Sequence, residues 1–245
     1  MLEILPIPAY KDNYIWLIIQ KPDNFALIVD PGEAKPVLNA CKHYKLKPIA
    51  VLITHHHWDH VNGSAELSEH FNLSVYNKAN SLFSLGGFDF DIKMILSPGH
   101  TQDHVLYLIG SHLFCGDTLF AAGCGRVFDS TAQALYHSLM HIATLPEQTK
   151  IYPAHEYTID NLNFASVIEP NNVDIHQRLL RAKKLRQKNL PTLPTTLLEE
   201  KLTNPFLRCH LPSVKQAVEA LTQKKLNSPE AVFIALREWK NHYKV

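Results

Sequence analysis

The sequence is poor in cysteine. It has four in 245 residues, Cys41, Cys115, Cys124 and Cys209, and none of them lies in Cys-x-x-Cys spacing. So sparse a set excludes a disulfide scaffold and fits a reducing, cytoplasmic setting. Long apolar runs are missing as well: no stretch approaches the eighteen or more apolar residues that a membrane span requires. The opening MLEILPIPAY has no basic segment followed by an extended apolar one, so no signal peptide is expected. There is no internal repeat and no low-complexity segment, and net charge is only +1. Neither a membrane nor a nucleic-acid partner is expected, and a monomer is the default. What is present is ordinary for a soluble globular chain: 46% hydrophobic and 19% charged residues, enough for a sizeable core.

The charge is unevenly placed. Residues 1–170 carry 10 Lys/Arg against 17 Asp/Glu, a balance of −7, and residues 171–245 carry 14 against 6, a balance of +8. That asymmetry suggests two modules, the second meeting something anionic or simply presenting a solvated basic face.

The texture of the chain changes at the same place. LEILPI, YIWLII and FALIVD are rich in branched and aromatic residues and broken by Pro, Asn and Asp turns, which predicts strands. A helix follows over Ala34 to Tyr44. The continuous apolar run IAVLI (49–53) predicts a strand covered on both faces. Another helix starts near Asn62, strands resume at LSVY, FDIKMIL, HVLYLI and HLFCG, a helix is predicted from Thr131 to Leu145, and KIYPA is one more strand. Beyond Tyr157 helical spacing dominates, over 158–168, 172–188, 212–224 and 229–242, with Ser228 suited to an N-cap and Pro229 to the first helical position. PTLPTT and NPFLRCHLP read as proline-marked linkers.

The chemistry concentrates behind IAVLI, where THHHWDH places four histidines and an aspartate between positions 55 and 60. Loops at strand ends are where rigid scaffolds present reactive groups. In an extended backbone His55 and His57 share a direction, while Asp59 and His60, beyond the turn, can converge on a second point. Imidazole nitrogen and carboxylate oxygen are ligands for zinc and other divalent first-row ions, and a cation removes the cost of crowding them. His56 and Trp58, in between, are expected to point away and pack. Three more ligand-type residues follow predicted strands: His100 in LSPGHTQDH, Asp117 in LFCGDTLF and His155 in IYPAHEYT. With the cluster they make seven ligands, which suits two metals. His104 reads as structural or supporting. Asp30 and Thr54 are candidates to orient the imidazoles, Asp30 being equally suited to capping the turn DPGE.

These residues resemble the metallo-β-lactamase superfamily, and more narrowly the glyoxalase II (hydroxyacylglutathione hydrolase) family. THHHWDH marks the superfamily. GDTLFAAGCGRVFD, HEYTIDNLNFA, NPFLR and LREWKN, in that order, are the more specific motifs, and the likeness runs over nearly the whole chain. The resemblance implies an α/β fold: an αββα sandwich over residues 1–165 followed by a small all-helical substrate-binding domain over 166–245. It implies one divalent ion on His55, His57 and His100, a second on Asp59, His60 and His155, and Asp117 between them. Zinc is the expected metal, with iron and manganese compatible with the same ligands. Asp59 and Asp117 are the expected catalytic carboxylates.

The implied reaction is hydrolysis of S-D-lactoylglutathione to D-lactate and glutathione, the second step of methylglyoxal detoxification. Its glutathione moiety would contact the Arg126 to Phe128 segment, the Tyr157 phenol, and Arg237 with Lys240, three apart on the last helix. Some relatives carry Lys-x-Tyr where this chain has Arg126-Val127-Phe128, so charge is kept, the phenol is lost, and backbone contacts would survive. Other readings weigh less. A sulfur dioxygenase of the superfamily, acting on glutathione persulfide with one iron, needs neither seven ligands nor the terminal Arg-x-x-Lys, and the same holds against a β-lactamase or lactonase. A nucleic-acid hydrolase would use the basic tail on phosphates, but that tail holds few aromatics and no inserted arm. A vestigial site would lack ligands, and none is missing.

Overall fold

The structure is a computed structural model describing residues 1–77 and 82–243. Positions 78–81, and the last two residues of the expected helical domain, 244 and 245, lie outside the described residues. The chain divides into two compact units, one of Met1–Leu96, Asp103–Gly116 and Tyr152–His155, the other of Ser97–Gln102, Asp117–Ile151 and Glu156–Val245.

The first unit contains β1 (Leu2–Ala9), β2 (Asn13–Gln20), β3 (Phe25–Val29), α1 (Ala34–Tyr44), β4 (Lys47–Leu52), α2 (Trp58–Val61), α3 (Ser64–Phe71), β5 (Ser74–Tyr76), β6 (Leu82–Leu85), β7 (Phe88–Leu96), β8 (Val105–Ile109) and β9 (His112–Gly116). The first five strands form one sheet in the order β1-β2-β3-β4-β5. β1–β2 and β2–β3 pair antiparallel, whereas β3–β4 and β4–β5 pair parallel. The parallel steps are the ones that need a crossover, and α1 and α3 supply it. β6 to β9 form a second, consecutively antiparallel ladder.

β2 explains how these layers stack. It is buried along its whole length, and alternate residues of a strand face opposite ways. Ile15, Leu17 and Ile19 join Val37, Ala40 and Cys41 of α1 and Leu67 of α3 in one apolar cluster. Trp16 and Gln20 face the other way. The Trp16 indole N–H donates to the Pro153 carbonyl at 2.9 Å, and its ring meets Tyr152 edge-on at 5.0 Å. The Gln20 amide donates to Gly87 O at 3.1 Å and accepts from the Asp89 N–H at 2.7 Å, tying β2 to the β6–β7 hairpin. A strand with helices on one face and a sheet on the other has no polar side, so YIWLII shows no alternation.

The second unit contains β10 (Leu119–Phe120), β11 (Gly123–Cys124), α4 (Ala132–Ala143), β12 (Lys150–Pro153, whose last two residues count with the first unit), α5 (Thr158–Ile168), α6 (Val173–Arg186), β13 (Thr195–Thr196), α7 (Leu197–Thr203), a single 3-10 turn at Pro205–Leu207, α8 (Pro212–Thr222) and α9 (Pro229–His242). The predicted caps are in place: the Ser228 hydroxyl accepts from the Ala231 N–H at 3.1 Å, and Pro229 opens α9. α7 was not among the expected helices. Between PTLPTT and NPFLR lies a short helix whose start is a Thr-x-x-Glu cap, with the Glu199 N–H donating to Thr196 Oγ1 at 3.2 Å. No helix among the described residues is long and apolar enough to cross a membrane.

α7 matters because it holds the segment that follows Asp117. Glu200 is buried, and its Oε2 accepts from the Ala122 N–H at 2.8 Å and from the Asn204 amide at 2.9 Å. Its Oε1 accepts from Arg178 of α6 at 2.6 Å and from the Thr195 hydroxyl at 2.9 Å. Asn204 also donates to Gly123 O at 2.9 Å. Every lone-pair direction of this carboxylate has a donor, the condition under which a buried charge is tolerated.

The Trp16 contact gives a direct test. Trp16→Phe keeps the ring but leaves the buried Pro153 carbonyl without its donor, and stability is expected to fall by about 1–3 kcal/mol. A lower denaturant midpoint at unchanged m-value is the expected result.

Candidate metal centre

Four of the predicted ligands follow the C-terminal end of a strand: His55 comes after β4, His100 after β7, Asp117 directly after β9 and His155 two residues past β12. Asp59 and His60 sit on α2, the single helical turn that follows the histidine run.

In the first unit, Asp59, His60 and His155 come together, with one ligand atom of each lying within 4.8 Å of the other two. Asp59 Oδ2 is 3.4 Å from His155 Nε2 and 3.6 Å from His60 Nε2. His55 Nε2 lies 3.0 Å from His57 Nδ1, and the His55 and His60 rings are 4.1 Å apart. Five of the seven predicted ligands thus gather within one unit.

Asp30 accounts for much of this placement. It follows β3 at φ 51, the left-handed region that aspartate tolerates better than most residues, and it is 4% exposed. Its Oδ1 accepts the Thr54 N–H at 2.7 Å, and its Oδ2 accepts the Thr54 hydroxyl at 2.7 Å and the His60 Nδ1–H at 2.9 Å. Because the Thr54 hydroxyl gives its proton to Asp30, it accepts from His55 Nδ1 at 3.1 Å. One carboxylate therefore fixes two imidazoles, His60 directly and His55 through Thr54, and both keep Nε2 as the lone-pair nitrogen. The contacts decide the role of Asp30 in favour of orienting the cluster.

His104 is buried and stacks on His55 with ring centroids 4.8 Å apart, a supporting position. His56 points away and pairs with Asp103 at 3.0 Å. Trp58 meets Tyr10 edge to face at 4.9 Å but is 60% exposed, so the packing expected of it is partial. Sequence reading gave no role to Asp12 and Asn13, whose one signal was a polar pair opening the apolar run of β2; the structure puts Asp12 on His155 and Asn13 on Asp59.

In the second unit, His100 Nε2 lies 3.4 Å from Asp117 Oδ2. His100 Nδ1 donates to the Arg126 carbonyl at 2.8 Å, which again leaves Nε2 as the lone-pair atom. Gly125 packs so closely on Asp117 O that a Cβ would overlap it and stand 3.0 Å from His100 Nδ1, which explains the glycine in GCGR.

The predicted substrate segment belongs to this unit as well. Arg126 is exposed, and Phe128 is 62% exposed with its ring edge-on to His100 at 5.2 Å. Tyr157 meets Phe120 edge-on at 5.2 Å. Arg237 is only 4% exposed: it donates to Cys124 O at 3.0 Å and to Asn241 at 3.1 Å, and its guanidinium lies over Phe206. Lys240 donates to Asn161 Oδ1 and its ammonium lies 5.0 Å over the Phe164 ring. Burial, helped by the neighbouring Arg237 charge, lowers its pKa to about 7.

The model of the hydroxyacylglutathione hydrolase C-terminus matches residues 156–243, and that of the metallo-β-lactamase superfamily matches residues 12–94. "Hydroxyacylglutathione hydrolase" of Nitrosomonas europaea is 40% identical over 100% of this chain and 97% of its own length. "Hydroxyacylglutathione hydrolase 2" of Vibrio vulnificus is 47% identical over 99% of this chain and 100% of its own. The chain belongs to the hydroxyacylglutathione hydrolase family.

Solved structures agree on the metallo-β-lactamase fold. ETHE1 from Myxococcus xanthus is 25% identical with a TM-score of 0.67, over 98% of this chain and 91% of that one. A protein crystallised in a di-iron-bound form is 25% identical with a TM-score of 0.53, over 62% of this chain and 91% of that one. The histidine and aspartate cluster described above is the feature of this family fold that suits a pair of metal ions.

Gly116, at φ 47 directly before Asp117, tests how tightly the cluster is built. A Cβ there would overlap the Thr54 hydroxyl and stand 3.0 Å from His104 Nε2. Gly116→Ala is expected to lower stability by about 2 kcal/mol or more and to weaken metal uptake, read by denaturation and by elemental analysis of the same preparation.

Proposed function

We propose that the chain hydrolyses S-D-lactoylglutathione and related 2-hydroxyacyl thioesters of glutathione, the second step of methylglyoxal detoxification, at a dinuclear centre built from seven side chains. His55, His57 and His100 would hold one ion and Asp59, His60 and His155 the other, with Asp117 as the seventh ligand. The observation that carries this reading is the state of four imidazoles. His55, His60, His100 and His155 each have Nδ1 on an oxygen, of Thr54, Asp30, Arg126 and Asp12 in turn, so each offers Nε2, the arrangement of metal-bound histidine. We take the ions to be zinc. All four cysteines are buried, which accords with a reducing cytoplasm.

Two bound divalent ions supply an acidified water and a polarised thioester carbonyl. The protein's own task is then to place and orient. Asp117 and Asp59 turn their carboxylates inward as hydrogen-bond acceptors for the attacking water. Attack adds oxygen to the acyl carbon and expels the sulfur as thiolate, a better leaving group than an amine, so no Ser or Cys nucleophile is called for. Burial has raised the Cys124 and Cys209 thiols, which argues against either as a nucleophile. Arg126, the Phe128 backbone, Tyr157, Arg237 and Lys240 serve the glutathione moiety, the last two as a charged pair for a carboxylate.

Purified protein given S-D-lactoylglutathione should lose thioester absorbance and release free thiol in equal amount. No hydrolysis by zinc-loaded protein would overturn the reading. Asp117→Ala should lower turnover on the order of 10³-fold, the size of effect of deleting one preorganised electrostatic contact, and lower metal content, with α5 to α9 still folded by circular dichroism.

Lys240 gives a pH test. A lysine is charged below its pKa, so in the free protein the charge is present below about pH 7 and lost above it. KM for the glutathione thioester is therefore expected to rise as pH passes upward through 7. Lys240→Ala should raise KM about tenfold at pH 6, a loss near 1.4 kcal/mol, abolish that rise, and leave kcat within a few-fold. A fall in kcat with KM unchanged would contradict the carboxylate role.

A further inference from the structure

The β1–β2 turn carries two side chains that reach the Asp59–His60–His155 cluster, and neither is among the seven ligands. Asp12 Oδ1 accepts from His155 Nδ1 at 2.9 Å. Asn13 Nδ2 donates to Asp59 Oδ2 at 3.0 Å, the same oxygen that faces His155 Nε2 and His60 Nε2. The backbone seats the turn against the ligand strand: Asn13 and His155 form an antiparallel bridge, and the Tyr14 N–H donates to Ala154 O at 2.7 Å. Asn13 is buried, and the Asp12 side chain is about one-third exposed.

We propose that Asp12 and Asn13 are positioning residues that set the affinity of the Asp59–His60–His155 site for its cation. The inference rests on the two-metal reading above. Asp12 accepts from Nδ1 of the His155 ring and so holds its Nε2 toward Asp59, and its carboxylate places a negative charge one contact away from the ion site. Asn13, an amide that cannot compete as a charged ligand, gives Asp59 Oδ2 a fixed direction by donating to it. The two contacts act on different ligands of one ion, and both come from one hairpin turn whose backbone is locked to the strand bearing His155. Groups of this kind, one contact removed from the ion, change affinity by about 10- to 100-fold.

The test is a zinc titration of the full-length protein against a competing chelator, on wild type, Asp12→Ala, Asp12→Asn and Asn13→Ala. Wild type is expected to hold two zinc ions. In Asp12→Ala and in Asn13→Ala one of the two should weaken by about 10- to 100-fold while the other stays within about threefold. Asp12→Asn, whose amide oxygen still accepts from Nδ1 but carries no charge, should lie in between. The thermal midpoint of the metal-free protein should be unchanged in Asp12→Ala, since Asp12 is at a half-open turn. Affinity unchanged at both sites in both alanine variants would overturn the proposal. So would equal weakening of both ions together with a lowered metal-free midpoint, the mark of a merely structural turn. Wild type that takes up fewer than two zinc ions would sink the two-metal reading itself, and this proposal with it.

Discussion

The first unit depends on one buried carboxylate. Asp30 takes three hydrogen bonds, two from Thr54 and one from His60. It is the reason that two imidazoles stand with their lone pairs inward before any cation arrives. A buried carboxylate without donors would cost several kcal/mol and would take up a proton instead. Asp30 has three donors and lies directly behind the cluster. The left-handed backbone at Asp30 and the glycine at Gly116 that leaves room for Thr54 belong to the same constraint. Each is a local conformational cost, borne because the pair Asp30–Thr54 has only one geometry that serves both histidines.

The second unit solves a similar problem by other means. The segment after Asp117 is tight turns and two strands of two residues each, β10 and β11, whose backbone groups need partners beyond that short ladder. Glu200 and Asn204 of the α7 region clamp its backbone at Ala122 and Gly123, and Arg178 of α6 keeps the Glu200 charge paired. Helices that carry no predicted ligand thus fix the loop that carries one. This gives the helical region a structural duty alongside the proposed contact with substrate, and NPFLR serves it through its first residue: Asn204 Oδ1 accepts the Phe206 N–H while its amide reaches Gly123.

Elements whose signals are local were readable from the chain alone. The turn DPGE marked the start of α1, expected over roughly Ala34 to Tyr44, and Ser228-Pro229 marked the start of α9. The ligand types and their place behind strands were readable as well, because metal ligands are few in kind and sit at strand ends. Of the layer behind them, Asp30 and Thr54 could be read as candidates, but not the contacts they make. That Asp30 reaches His60 across thirty residues, or Asp12 reaches His155 across 143, depends on tertiary folding. α7 was missed for a different reason: at seven residues it is too short to show a period, and its Thr-x-x-Glu cap was the one legible sign.

The charge asymmetry also takes on a more specific meaning. Of the basic side chains beyond position 170, Arg178 and Arg208 pair with Glu200 and Glu169, and Arg237 is buried with one of its amino groups on the Cys124 carbonyl. The balance of +8 is therefore not a uniform basic face for a polyanion. Lys240 is the informative case. It sits among aromatic rings beside another cation, and it gives up its proton near pH 7 rather than bear the desolvation of a charge. A carboxylate arriving beside it would restore the proton, since an opposite charge favours the ionised form. Anion binding at such a lysine is coupled to proton uptake above neutrality, and the coupling discriminates: a neutral ligand of the same shape cannot recover the energy that burial withholds.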